Sequence, residues 1–170
     1  MFVDESGAKT NMTRSHAWAL KGQRAWASAP YGHWQITTMV GSVRLDGETT
    51  CMTLDGAVDT DAFVAYLDQV LCPTLRPGDT VILDNLSCHK SPQVIQAIES
   101  VDARVCFLPP YSPDFNPIEM MWSKIKQSLK GAEARTHERL IEAVGEAFQR
   151  VHPSDAQGWF RHCGYLSTQT

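Results

Sequence analysis

Residues 108–126 read LPPYSPDFNPIEMMWSKIK, a proline-rich loop that leads directly into a helix. Proline fixes φ and has no backbone N–H, so its repeated use here excludes a helix or a central strand before residue 116. Asn116 is a good N-cap, and Pro117 suits the first position of a helix. We therefore predict a stiff, exposed loop followed by a helix that carries Glu119 on its first turn.

Glu119 has two interpretations from this stretch alone. Either it closes a capping box with Asn116 and has no further role, or it presents a carboxylate to a functional site. Beyond it, apolar residues recur at helical spacing and predict a buried face. These residues are Ile118, Met121, Trp122, Ile125 and Leu129. Trp122 is accordingly assigned to the core in preference to a platform for stacked bases.

The composition indicates one globular domain with a sizeable core. The chain has 170 residues and is 43% hydrophobic,. No apolar run approaches the roughly 20 residues of a membrane span, and the start lacks the features of a signal peptide, so we expect a cytoplasmic protein. The five cysteines form no CxxC pair, and the six histidines form no HExxH pattern, which argues against a disulfide framework and a zinc site,.

Charge is distributed unevenly along the chain. The net charge of -4 argues against a free-standing nucleic-acid binder,. Residues 6–40 nevertheless contain basic residues and no acid, whereas acids dominate residues 41–79. Residues 8–30 are polar, basic and aromatic without a sustained period, which predicts an extended arm or an irregular hairpin. Its tryptophans can pack on the sheet or stack on bases, and packing is the preferred interpretation.

The remaining pattern predicts an α/β fold with the order βββαβαβ followed by helices. A short first strand carries Asp4 at its end, before Ser6-Gly7 interrupts it. Two antiparallel strands join it, and the apolar run at residues 80–84 is typical of a strand buried on both faces. The further strands are predicted at 33–44, 47–54, 80–84 and 103–108, and helices at 59 or 60–72, 91–101, 117 onward, 136 or 137–151, and 154–165.

Three acids occupy comparable positions in this order. Asp4 and Asp84 end strands, and Glu119 follows the next strand. Ligands collect outside the carboxyl ends of strands in open α/β sheets, so the two aspartates can be neighbours. Carboxylates so close repel one another, and a divalent cation relieves the repulsion; oxygen ligands favour Mg²⁺ or Mn²⁺. Three carboxylates can hold two such ions about 4 Å apart.

Each of these assignments has a simpler alternative. Asp84-Asn85 is good turn chemistry, and on its own that interpretation is preferred. Glu5 is the nearest rival of Asp4; successive strand side chains point to opposite faces, so only one of the two can face the ions. His89 and Lys90 follow Asp84 closely enough to face phosphate, although a lone histidine near a strand end is more often structural.

These motifs together resemble the catalytic domain of the IS630/Tc1/mariner superfamily of DDE transposases. The resemblance rests on VDESG at 3–7, on ILDN at 82–85 with His89-Lys90, and on the segment 108–119 with Trp122 and Lys126 after it. The interval agrees too, since residues 85 to 118, which is 34 residues, separate the second acid from the third. The resemblance covers nearly the whole chain, and the proline-rich motif is its most specific part.

The resemblance implies an RNase H-like fold, with a mixed sheet of three antiparallel and two parallel strands flanked by helices. It implies that Asp4, Asp84 and Glu119 ligate two Mg²⁺ or Mn²⁺ ions, and it favours Asp4 over Glu5. The implied activity is hydrolysis at the terminal inverted repeats of an element, followed by attack of the freed 3′-hydroxyl on target DNA, typically at a TA dinucleotide.

The same resemblance implies DNA as a partner, a homodimer, and a place on the bacterial nucleoid. Members of the group carry a helix-turn-helix part before the catalytic one, and here Asp4 stands near the start. We therefore expect residues 1–170 to form a single catalytic domain. Three explanations for the helix-turn-helix part stay open: a separate polypeptide from a split reading frame, excision of the catalytic domain, or decay of the copy. The expected DNA contacts are Arg14, Lys21, Arg24, His89, Lys90, Lys124 and Lys126.

Two other functions stay open at this point. One is a related RNase H-like nuclease or resolvase that cuts DNA without joining it. The other is a non-catalytic remnant that acts in DNA binding or dimerisation.

Overall fold

A five-stranded mixed sheet forms the centre of the fold in the computed structural model, which describes residues 1–26, 28, 30 and 34–166. The strands lie side by side in the order β3-β2-β1-β4-β5. Strand β2 is antiparallel to both β1 and β3, and β1, β4 and β5 are parallel, which confirms the predicted mixed sheet. The strands are β1 (Phe2–Lys9), β2 (Ile36–Val43), β3 (Thr49–Asp55), β4 (Thr80–Leu83) and β5 (Arg104–Phe107).

Helices cover both faces of this sheet. They are α1 (Thr60–Tyr66), α2 (Pro92–Glu99), α3 (Pro117–Ala132), α4 (His137–Gln149) and α5 (Pro153–His162). Asp59 caps α1 by accepting a hydrogen bond from the N–H of Ala62 at 2.8 Å, and the helix continues through a π-helical turn and a 3₁₀ turn to Thr74. None of the helices in the described ranges is long and apolar enough to cross a membrane.

The sheet separates two hydrophobic cores. Side chains alternate along β1, so Phe2 joins the core under α3, α4 and α5, whereas Val3 joins the core under α1 and α2,. Trp122 of α3 is 2% exposed and lies in the first of these cores, as predicted. Its ring lies against Gly41 of β2, where an added Cβ would come within 2.9 Å of it.

Strand β1 is longer than predicted. Ser6-Gly7 does not interrupt it, because β2 pairs with it along its whole length, from Phe2 opposite Val43 to Lys9 opposite Ile36. Asp4 therefore lies inside the strand and not at its end, and the prediction of a short first strand is wrong. The predicted start of the second strand, at residue 33, lies outside the described residues.

The described residues between β1 and β2 form neither helix nor strand and include most of the predicted arm, whose residues 8 and 9 belong to β1. Trp18 is 102% exposed and Trp26 is 84% exposed, so the expectation that these tryptophans pack on the sheet is wrong. The guanidinium of Arg24 lies 5.2 Å from the centre of the Trp26 ring. The base of the arm is attached to the domain by Arg135, which donates a hydrogen bond to the carbonyl of Met12 at 2.8 Å.

Candidate active site

Asp4, Asp84 and Glu119 line one cavity of about 480 Å³. Asp4 comes from β1, Asp84 follows the last residue of β4, and Glu119 lies on the first turn of α3. The proline-rich loop, residues 108–113, forms much of the remaining wall. The fold therefore brings the three acids singled out from the sequence around a common space.

The register of two parallel strands makes Asp4 and Asp84 neighbours. Phe2 of β1 is paired with Ile82 of β4. Asp4 lies two residues after Phe2, and Asp84 lies two residues after Ile82. A period of two returns the side chain to the same face of the sheet, here the face covered by α3. The two carboxylates are thus placed side by side by backbone pairing.

The start of α3 presents Glu119 to the cavity. The helix begins at Pro117 with Asn116 at the N-cap, as predicted. The Asn116 side chain makes no cap hydrogen bond to any described residue, and its backbone N–H donates to the carbonyl of Pro113 at 2.9 Å. Glu119 is therefore not engaged in the capping box that was the simpler interpretation. Buried Ile118 faces the core, and Glu119 is left exposed at the cavity.

Asp4 is the most buried of the three acids, with 9% of its surface exposed. Burial raises the pKa of Asp4 to about 7, and the negative charges of Glu5, Glu119 and Asp84 add to the rise. A hydrogen bond from the N–H of Glu5 to Asp4 Oδ1, at 2.8 Å, opposes it. Neighbouring carboxylates that disfavour ionisation of one another fit a divalent cation, and a donor set made only of oxygen fits Mg²⁺ or Mn²⁺.

A buried histidine connects Asp84 with Glu5. His89 is 0% exposed; its Nδ1 lies 2.7 Å from Asp84 Oδ1, and its Nε2 lies 2.8 Å from Glu5 Oε1. Burial would lower the pKa of His89, but the hydrogen bonds to the two carboxylates raise it to about 9. Burial would raise the pKa of Asp84, but hydrogen bonds from His89 and from the N–H of Leu86 lower it.

This arrangement separates residues that the sequence left as alternatives. His89 cannot contact DNA in this fold, because its ring is buried and both nitrogens are bonded to carboxylates, so that expectation is wrong. Asp4 lines the cavity, whereas Glu5, its rival, contacts His89 instead. Asp84 does serve as a turn residue, since its Oδ1 accepts from Leu86 at 2.9 Å, and it also lines the cavity.

The basic residues expected to contact DNA occupy different settings. Arg14, Lys21 and Arg24 are exposed on the arm. Lys90 is exposed beside the candidate site, with its ammonium 5.8 Å from the centre of the Phe107 ring.

Two lysines of α3 differ from each other. Lys124 forms an ion pair with Asp155 of α5, so its charge is used within the domain. The expected contact of Lys124 with DNA stays a prediction, because its side chain is partly exposed beside this ion pair. Lys126 is partly exposed and remains a candidate contact.

Two asparagines belong to the site and were not identified from the sequence as site residues. The Asn85 side chain donates a hydrogen bond to the carbonyl of Leu108 at 2.5 Å, which ties the loop after β4 to the proline-rich loop. Asn116 lines the cavity at 5% exposure, and its Oδ1 is buried without a hydrogen-bond partner among the described residues. In the sequence both residues look like ordinary turn and cap residues, so only their positions around the acids reveal them.

A model of DDE superfamily endonucleases matches residues 1–141. No curated protein matches significantly.

Solved structures of similar fold include Mos1 transposase complexes. The Mos1 transposase paired-end complex with left transposon end has a TM-score of 0.75 at 19% identity, over 96% of this chain and 52% of that chain. The Mos1 mariner paired end complex with Mn has a TM-score of 0.65 at 17% identity, over 95% of this chain and 52% of that chain. A simian T-cell lymphotropic virus intasome in complex with PP2A regulatory subunit B56 gamma has a TM-score of 0.54 at 11% identity, over 84% of this chain and 46% of that chain. These similarities confirm the predicted RNase H-like fold. The chain spans about half the length of the Mos1 chains.

Proposed function

Because this chain belongs to the DDE superfamily endonuclease family, we propose that it is the catalytic domain of a transposase that cleaves DNA at the ends of an element and joins them to target DNA. The observation that carries the proposal is the cavity shared by Asp4, Asp84 and Glu119. Three acids that lie far apart in sequence line this one space, and that is the requirement for two-metal phosphodiester chemistry.

We propose that these three acids hold two Mg²⁺ or Mn²⁺ ions. When bound, such ions activate the attacking water or hydroxyl and stabilise the leaving oxygen of a phosphodiester. The protein contributes the placement of the carboxylates. Asp4 is fixed inside a strand, Asp84 is held by His89 and the N–H of Leu86, and Glu119 stands on an exposed helix start. The Mos1 paired end complexes with Mn and with Mg support the choice of ion.

DNA is the proposed substrate, bound by exposed basic residues. Arg14, Lys21 and Arg24 would contact phosphates from the arm, and Lys90 is close enough to Asp84 to contact DNA near the cavity. Lys126 is a further candidate contact on α3. These contacts would be strengthened at low ionic strength, as for any phosphate-directed binding.

The proposal extends to the repeat-binding part, the oligomeric state, the target sequence and the location of the protein. A separate helix-turn-helix polypeptide that recognises the terminal repeats is proposed on the resemblance to the IS630/Tc1/mariner group. A homodimer, a TA target and action on the bacterial nucleoid are proposed on the resemblance to the IS630/Tc1/mariner group.

The test is cleavage and joining of DNA that carries the element's terminal repeats, with the repeat-binding part supplied. We expect Mg²⁺- or Mn²⁺-dependent cleavage that is lost in Asp4→Asn, Asp84→Asn and Glu119→Gln. Glu99→Gln is the matched control, since Glu99 is an exposed acid on α2. Cleavage that survives both EDTA and Asp84→Asn would rule the proposal out.

A nuclease that cuts without joining is the second candidate, because the matching family model describes an endonuclease and says nothing of joining. Pre-cleaved ends separate the two functions. A transposase joins their 3′-hydroxyl to new DNA, whereas a resolvase-like nuclease leaves them unjoined. Retention of all three acids argues against a non-catalytic remnant.

A further inference from the structure

The side chains of Glu5, His89 and Asp84 form a hydrogen-bonded chain that is fully buried at His89 and ends on one of the cavity acids. Both ring nitrogens of His89 lie at hydrogen-bond distance from carboxylate oxygens, 2.7 Å to Asp84 and 2.8 Å to Glu5. Carboxylates only accept, so both nitrogens donate and the imidazole orientation is fixed from two sides. The Phe63 ring, 4.3 Å away between ring centres, packs against the imidazole.

We propose that His89 is a positioning residue for the metal site, and that Glu5 holds His89 in place. Asp84 Oδ1 receives two hydrogen bonds from the protein, from His89 and from the N–H of Leu86. Its rotation is thereby restricted, and Oδ2 is left to bind the ion. This inference rests on the proposed function, since it assigns a role in preparing the ion site formed by Asp4, Asp84 and Glu119.

The setting of Glu5 supports this role over a purely stabilising one. The Glu5 side chain is 12% exposed, and its Oε2 is buried without a hydrogen-bond partner in the part of the chain that the structure describes. A buried, incompletely satisfied carboxylate is costly, and an apolar pair of similar volume stabilises a fold as well or better. What an ion pair supplies here is orientation of the ring, as outer-shell carboxylates do for histidines at metal sites.

Cys88 provides an internal control. Glu5, Cys88 and His89 have donor atoms within 4.8 Å of one another, so the cluster could be mistaken for an ion site of its own. The His89–Glu5 distance of 2.8 Å is that of a hydrogen bond, and we interpret the cluster as such,. Replacement of Cys88 should therefore leave the ion site of the three acids unchanged.

The experiment measures Mn²⁺ affinity of the full chain by electron paramagnetic resonance, together with thermal stability without metal. Glu5→Gln keeps an acceptor oxygen for His89 and should bind Mn²⁺ like the parent. Glu5→Leu removes the acceptor and should weaken Mn²⁺ binding about 10-fold or more, the range of outer-shell substitutions. His89→Gln should weaken it similarly, and Cys88→Ser should not change it.

The outcomes separate this inference from the proposed function. Equal Mn²⁺ affinity for Glu5→Leu, Glu5→Gln and the parent, whatever their thermal stability, would overturn the positioning role. A loss in Cys88→Ser as large as in Glu5→Leu would also overturn it, because any disturbance of the cluster would then act alike. If Asp84→Asn itself leaves Mn²⁺ affinity unchanged, the proposed ion site is wrong, and the inference falls with it.

Discussion

Asp4 and Asp84 occupy equivalent positions on neighbouring parallel chain segments, two residues beyond the paired Phe2 and Ile82. This backbone relationship directs both carboxylates to one face of the sheet, where both line the same cavity,. Burial and the nearby acids raise the pKa of Asp4 to about 7. The geometry that suits a divalent cation is therefore unfavourable to the metal-free fold.

The first prediction concerns the stability of the metal-free protein. The pKa of Asp4 rises from 3.8 to about 7 on folding, so the folded state binds the proton more tightly. The stability contributed by this group is present at low pH and is lost as pH rises toward 7. Asp4→Asn removes the cost of ionising a buried carboxyl. The stability of the variant relative to the parent should therefore increase by on the order of 2 kcal/mol when the pH is raised from about 5 to about 8.

Denaturant unfolding in EDTA at the two pH values measures this gain. Asp68→Asn is the control, because Asp68 is exposed on the π-helical turn after α1. A pH-independent difference between Asp4→Asn and the parent would contradict the prediction.

The second prediction concerns the ion pair between Arg44 and Asp79. Arg44 is 8% exposed, and both its terminal nitrogens lie 2.8 Å from the Asp79 carboxylate. Asp79→Asn leaves a buried guanidinium without its main partner and should lower the free energy of unfolding by about 3 kcal/mol. Asp46→Asn, at an exposed pair with Arg76 at 3.8 Å, should cost less than about 1 kcal/mol,.

The same pair predicts a response to acid. Hydrogen bonds from Arg44 lower the pKa of Asp79 below its ordinary value. This contribution is present above the unfolded pKa and is lost as pH falls through the folded one. The difference between parent and Asp79→Asn in urea unfolding should therefore shrink in acid; a difference that grows would argue against the pair.

The third prediction concerns the contact between β2 and α3. A Cβ at Gly41 would lie 2.9 Å from the Trp122 ring and 3.0 Å from the Thr50 carbonyl oxygen. Both neighbours are held in the core and the sheet, so Gly41→Ala should destabilise the protein by about 1–3 kcal/mol through overpacking. Gly7→Ala on β1, where nothing lies within 4 Å, is the matched control and should change stability little. Similar melting temperatures for the two variants would show that the Trp122 ring moves aside without loss of stability, and would contradict the prediction.

The fourth prediction concerns the arm between β1 and β2. Glutamine in place of Arg14, Lys21 or Arg24 should weaken DNA binding and reduce the slope of log K against log salt by about one for each lost phosphate contact. Arg104→Gln, an exposed position on edge strand β5, serves as the control. An unchanged slope in the arm variants would assign these residues no role on DNA.

The sequence was most informative where a local rule has one physical outcome. Prolines between Leu108 and Pro117 exclude an α-helix there, although Pro113–Phe115 form a 3₁₀ turn, and helix α3 begins at the predicted residue. The apolar run predicted as a strand at residues 80–84 forms β4, which ends one residue earlier, at Leu83. Helix α4 likewise begins at His137 with Thr136 as its cap.

Predictions failed where a distant partner changed the outcome. Ser6-Gly7 has the local character of a strand end, yet β2 supplies partners as far as Lys9. His89 was expected to face DNA, yet the fold buries it between Asp84 and Glu5. Arm tryptophans resemble core residues in composition, and only the absence of packing partners in the described fold shows that Trp18 is exposed.

The chain order of strands and helices and the proline-rich loop were determined by the sequence itself, because each depends on neighbours within a few residues. The three candidate acids were singled out together only through the resemblance to a known family. Only the tertiary structure decided that Asp4 faces the cavity, that Glu5 holds His89, and that His89 holds Asp84. These relations join residues as far apart as Glu5 and His89, and they depend on strand register and on packing across the sheet. Local sequence patterns contain no information on strand register or on packing across the sheet.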